Sequence, residues 1–85
     1  MTNRHDPGAG SPPAGYRITR TEPAVGGGRL QPYRLAEPAN YACLRCGTVM
    51  RSRRLTVVDG DWLRLLCPSC TTVLAPAYER AAEDC

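Results

Sequence analysis

The chain has no phenylalanine and no lysine, one tryptophan (Trp62), one histidine (His5) and no long apolar run. Each absence excludes something. Without phenylalanine, and with tyrosines only at 16, 33, 41 and 78, a core of large aromatic rings is not available. At 85 residues the chain is at most one small domain, and its 42% apolar fraction leans on Ala and Cys. Chains this short bury too little surface to be held by a core alone, so a metal or disulfide staple is close to required. With His5 alone in the N-terminal segment, no His-based acid/base or nucleophile arrangement can be built. The missing apolar runs leave neither a signal-peptide h-region in residues 1–40 nor a bilayer span. The reading is a cytoplasmic protein, not an enzyme, with no membrane association and no small-molecule substrate. In a reducing compartment, paired cysteines bind metal or do redox chemistry more often than they form structural disulfides.

All eleven basic residues are Arg, and the net charge is +3. Arginine forks onto phosphates and carboxylates and stacks on aromatic faces, so a ligand-binding reading is open. The plainer account is a GC-rich coding sequence, which favours Arg, Ala, Gly and Pro together.

Three segments follow along the chain. Residues 1–38 read as a disordered Gly/Pro/Arg-rich arm, with clusters at Pro7-Gly8, Ser11-Pro12-Pro13 and Gly26-Gly27-Gly28. Arg17, Arg20, Arg29 and Arg34 interleave there with Tyr16 and Tyr33. Such a composition folds onto RNA, DNA or an acidic partner, or stays a solvated tail. Residues 39–76 are the ordered part. Val57-Val58-Asp59-Gly60-Asp61-Trp62 places Asp-Gly between two apolar segments, a hairpin signal. A two-residue loop sets Val57 opposite Trp62, Leu55 opposite Arg64 and Arg53 opposite Leu66. Arg51, Arg53, Leu55, Val57, Trp62, Arg64 and Leu66 then share one face. Residues 77–85 read as a short helical tail begun by Pro76 and frayed at its end unless Tyr78 docks.

What carries chemistry is the array of Cys43, Cys46, Cys67 and Cys70, two C-x2-C pairs separated by 20 residues. Four thiolates close a tetrahedral site around a d¹⁰ ion, and the spacing lies at the upper edge of the zinc template of roughly 15–20 residues. Gly47 after the first pair supplies the positive φ of a tight knuckle. Thr71 stands at the corresponding place after the second, which leaves that knuckle more strained, although Pro68 pre-sets φ inside it. Disulfides and redox-active dithiols are the competing readings, but a thioredoxin-like C-x2-C needs a βαβ context that a short, hairpin-like chain lacks.

Tyr41-Ala42-Cys43-Leu44-Arg45-Cys46-Gly47, followed by Cys67-Pro68-Ser69-Cys70, resembles the zinc ribbon and rubredoxin-type knuckle superfamily. The resemblance covers about 35 residues. It implies a small metal-stabilised β fold, a zinc ribbon with a central β-hairpin, with all four cysteines as ligands of one structural Zn2+. Rubredoxins in the same superfamily bind iron and carry electrons, and the CPxC element fits them. This chain departs in its missing Gly after the second pair, its shorter spacer and its lack of an aromatic-rich core. Zinc ribbons tolerate such variation, so Fe is the weaker alternative.

A closed four-sulfur site leaves no open position for water or substrate, which argues against a metalloenzyme. Two functional classes remain. In the first, Arg45, Arg51, Arg53, Arg54 and Arg64, with Trp62 exposed for stacking, form a face for nucleic acid or the transcription/translation machinery. In the second, the ribbon is a protein-interaction adaptor docking on a larger assembly. Asp59 and Asp61 are explained by the turn, and Cys85 reads as an inert terminal thiol.

Overall fold

The structure is a computed structural model that describes residues 12, 13 and 15–84. Its elements are β1 (Ile18–Thr21), β2 (Leu30–Ala42), β3 (Val49–Val58), β4 (Asp61–Leu66) and α1 (Pro68–Asp84). The four strands form one antiparallel sheet in the order β1-β2-β3-β4, and α1 lies against one face. No helix among the described residues is long and apolar enough to cross a membrane.

β3 explains why two layers flank the sheet. Leu55, Thr56, Val57 and Val58 are all buried, and neighbours on a strand point to opposite faces, so both faces must be covered. On one face Leu35, Ala39, Tyr41, Leu55, Val57, Trp62 and Leu65 form a cluster edged by Tyr16, Ile18 and Tyr33. On the other, Leu30, Val58 and Leu66 pack with Cys43, Cys67 and Cys70 beneath Leu74, Ala75 and Tyr78 of α1. Thr56 and Thr71, both buried, join hydroxyls at 2.8 Å under the helix.

Within the segment expected to be a disordered arm, residues 18–21 and 30–38 are strand. β1 pairs with β2, β2 runs through position 38 into the first cysteine pair, and the proposed boundary at 38/39 falls inside a strand. Residues 1–11, and with them His5, lie outside the described residues. The Gly-Gly-Gly run is a turn: Gly26, Gly27 and Gly28 hold φ of 62°, 69° and 89°, closed by a Val25–Leu30 bridge. Three successive left-handed residues are accessible only to glycine at low cost. Gly26 is also a close approach, since a Cβ there would sit 3.0 Å from both Leu30 and Tyr78 side chains. Pro32 is tolerated in β2 because its carbonyl, accepting from Glu22 N–H, faces the side where β1 has ended.

The Asp59-Gly60 turn forms as the sequence predicts, with φ of 56° and 73° at its two central residues. The register beyond it differs. Val58 faces Asp61, but Val57 faces Leu65 and Thr56 faces Leu66, a slip in β4 around Trp62–Arg64. The Asp61 carboxylate causes it locally by accepting the Leu63 N–H at 2.9 Å, an Asx turn inside the strand. Trp62 therefore stays with Leu55 and Val57 and is joined by Leu65, whereas Leu66 turns to the cysteine face. The helix also begins earlier than expected. Pro68, not Pro76, opens it, Pro76 lies inside it, and the expected boundary at 76/77 falls in mid-helix.

Arg29 ties the ends of the fold together. Its guanidinium grips Asp59 through Nε at 2.7 Å and an Nη at 2.8 Å and lies 4.7 Å over the Tyr78 ring. One side chain thus joins the glycine turn, the β3–β4 turn and α1.

Candidate metal centre

Cys43 and Cys46 flank the knuckle that leads from β2 to β3, and Cys67 and Cys70 straddle the junction of β4 and α1. The four sulfurs all lie within 4.8 Å of one another. A tetrahedron of 2.3 Å metal–sulfur bonds has an edge of about 3.8 Å, so the cluster is of the size that one ion draws together. The donors fit a zinc- or iron-type ion: all four are sulfur, three are buried, only Cys46 is exposed, and no disulfide joins them.

Each pair is shaped by its own backbone. In the first, Gly47 takes φ 70° and its N–H donates to the Cys43 carbonyl at 2.8 Å, while Cys43 N–H donates to Thr48. The second is not a second copy of that turn. Cys67 precedes the first helical residue, Thr71 N–H donates to the Cys67 carbonyl at 2.9 Å, and Thr71 Oγ1 donates to the same oxygen. Helix geometry thus makes a glycine after Cys70 unnecessary, and the strain expected at Thr71 is absent: its φ is not positive. Cys70 N–H donates to Cys67 Sγ, and Cys67 N–H to Cys43 Sγ, each at 3.4 Å. The amide hydrogen aimed at Cys43 Sγ favours the thiolate that a metal needs.

The thiols differ in acidity. Burial opposes ionisation of Cys43, but hydrogen bonds from the backbone of Cys46, Cys67 and Arg45 outweigh it and bring the thiol down to about 6. At Cys70 the Arg45 hydrogen bond favours the thiolate, yet hydrogen bonding with the Cys67, Cys43 and Cys46 side chains, together with burial, raises the thiol to about 11. Burial, reinforced by the nearby thiols, also raises Tyr41, which stays neutral and donates to the Arg54 carbonyl at 2.8 Å.

The arginine face predicted from sequence divides. Arg45 is part of the cysteine site, its guanidinium 3.7 Å from Cys70 Sγ. Arg64 pairs with Asp59 at 3.5 Å. Trp62 is 4% exposed, stacked by Tyr33 at 5.1 Å and edged by Tyr16 at 6.1 Å, so it is a core residue and not a stacking platform. Arg51, Arg53 and Arg54 remain exposed on β3, with no carboxylate within ion-pair distance among the described residues. Sequence reasoning left Arg20 and Arg34 in the arm. The structure places both in the sheet, Arg34 directly opposite Arg20 on one side and Arg54 on the other. The signal for this was the apolar/polar alternation of Tyr16, Arg17 and Ile18 and of Tyr33, Arg34 and Leu35 within a Gly/Pro-rich stretch.

No protein-family model matches the chain, and no curated protein or solved structure matches it at a significant level.

Proposed function

We propose that the chain is a non-catalytic zinc-ribbon binding module, in which one structural zinc on Cys43, Cys46, Cys67 and Cys70 fixes a sheet whose free arginines contact nucleic acid. The observation that carries the first half is the convergence of four sulfurs within 4.8 Å. Four protein ligands fill a tetrahedral ion, so the centre holds structure and offers no coordination site for chemistry. Zinc is preferred to iron on the departures from the rubredoxin pattern, and an iron form would be coloured and redox-active. The second half is supported by Arg51, Arg53 and Arg54, exposed on β3 without carboxylate partners among the described residues. With Trp62 buried, contact falls to phosphates and not to base stacking. Titration of a labelled single strand at low and moderate salt tests this. Binding that weakens steeply with salt and with Arg54→Ala is the outcome expected, and no binding at micromolar protein would sink it.

A protein-interaction adaptor is the second reading. It is favoured by Leu44 on the first knuckle and Val49 at the start of β3, 51% and 68% exposed. A stoichiometric partner that copurifies through nuclease treatment selects it over nucleic acid.

A further inference from the structure

We infer that the phosphates of a bound single strand are held by a row of arginines crossing three strands, Arg20, Arg34 and Arg54, and not by the run along β3. The inference rests on the nucleic-acid reading above and names the contact surface within it. Arg20 and Arg34 are direct partners between β1 and β2, and Arg34 and Arg54 between β2 and β3. Directly opposed residues share a face, so three guanidinium stems rise side by side from strands about 4.8 Å apart.

Like charges placed opposite one another destabilise a sheet, and the fold does little to offset this pair of oppositions. Arg34 and Arg54 have no carboxylate within ion-pair distance among the described residues, and Arg20 reaches Glu22 only at 3.8 Å. A polyanion laid across the row removes the repulsion and gains charge-assisted hydrogen bonds. The surroundings suit such a ligand. β2 bulges between Arg34 and Ala39, and beside the bulge Arg34, Arg53, Arg54, Thr19, Leu35 and Ala36 line a shallow concavity of about 450 Å³, next to which Arg20 completes the row. Arg54 is the next position on the α1 face beyond Thr56, where the helix contact ends, and it also borders the groove beside α1. The row therefore begins where the helix stops covering the sheet.

The test compares Arg34→Gln and Arg54→Gln with Arg51→Gln in the zinc-loaded protein, using a fluorescein-labelled oligothymidylate and anisotropy across a salt series. Each row variant is expected to bind about five-fold more weakly at low salt and to lower the slope of log K against log salt by about 0.7. Arg51→Gln is expected to bind within about two-fold of wild type, since Arg51 stands outside the row. Arg34→Gln is also expected to raise the melting temperature of the free protein by about 1–3 °C, because it removes two like-charge oppositions. If wild type binds and the row variants bind equally tightly, or Arg51→Gln loses as much, the row is overturned while nucleic-acid binding stands. A lowered melting temperature for Arg34→Gln makes the arginine structural and likewise overturns the row. If wild type itself does not bind, the nucleic-acid reading has failed, and the row with it.

Discussion

At the scale of single residues, the fold depends on a few positions whose chemistry has no substitute. Gly26 combines a left-handed φ of 62° with contacts that would crowd a Cβ at 3.0 Å against Leu30 and Tyr78. Gly26→Ala should cost about 2–3 kcal/mol, measured by urea denaturation. Gly28→Ala, equally left-handed but with nothing within 4 Å, should cost only about 1 kcal/mol. Equal losses at the two sites would show that backbone strain alone, without the contact to Tyr78, governs the turn. Asp59 offers a second check. The Arg29 hydrogen bond holds its carboxyl below the usual carboxylate range. Its contribution is therefore complete above about pH 4 and disappears as the pH falls through the lowered folded value. Both side chains are partly exposed, so the effect is about 0.5–1 kcal/mol. Asn accepts the same left-handed turn. Asp59→Asn should thus flatten the stability–pH curve below about pH 4 relative to wild type, leaving the turn intact. Parallel curves for the two proteins would show that the pair adds nothing.

At the scale of elements, the sequence was most legible where one local rule acted alone. The Asp-Gly turn and the two cysteine pairs were readable because tight turns and metal knuckles impose fixed spacing. Register in β4 was not, because the Asp61 side chain competes for a backbone N–H and shifts the strand by three residues. β1 and the first part of β2 were hidden by composition: glycines and prolines that average to disorder are here a left-handed turn and edge-facing positions. Two prolines contended for the start of α1. Pro68 prevails because its helix opens at Cys67, which is fixed among the other sulfurs, and Pro76 is carried inside. An internal proline removes the hydrogen bond to the Thr72 carbonyl. Pro76→Ala should accordingly stabilise the protein by about 1–3 kcal/mol in denaturant titration. A loss instead would mean that a bend at Pro76 is needed to bring Tyr78 under Arg29.

At the scale of the whole molecule, two small hydrophobic clusters sit on opposite faces of one sheet, linked through Met50 and the buried run of β3. The cysteine cluster closes one of them, and the aromatic cluster around Trp62 closes the other. Neither is large enough to stand alone in a chain this short. Metal binding energy is folding energy in such a fold, so chelation should unfold both halves together. Trp62, packed in the cluster on the face away from the sulfurs, is the reporter of that coupling: its fluorescence should shift to the red on chelation. A shift confined to α1 signals, with Trp62 unchanged, would mean that the aromatic face folds independently. Native mass spectrometry of protein purified without added metal tests whether one structural ion sits on the four cysteines. A compact charge-state distribution carrying one zinc is expected, with both the zinc and the compact distribution lost in Cys67→Ser. A compact, metal-free chain would contradict this expectation.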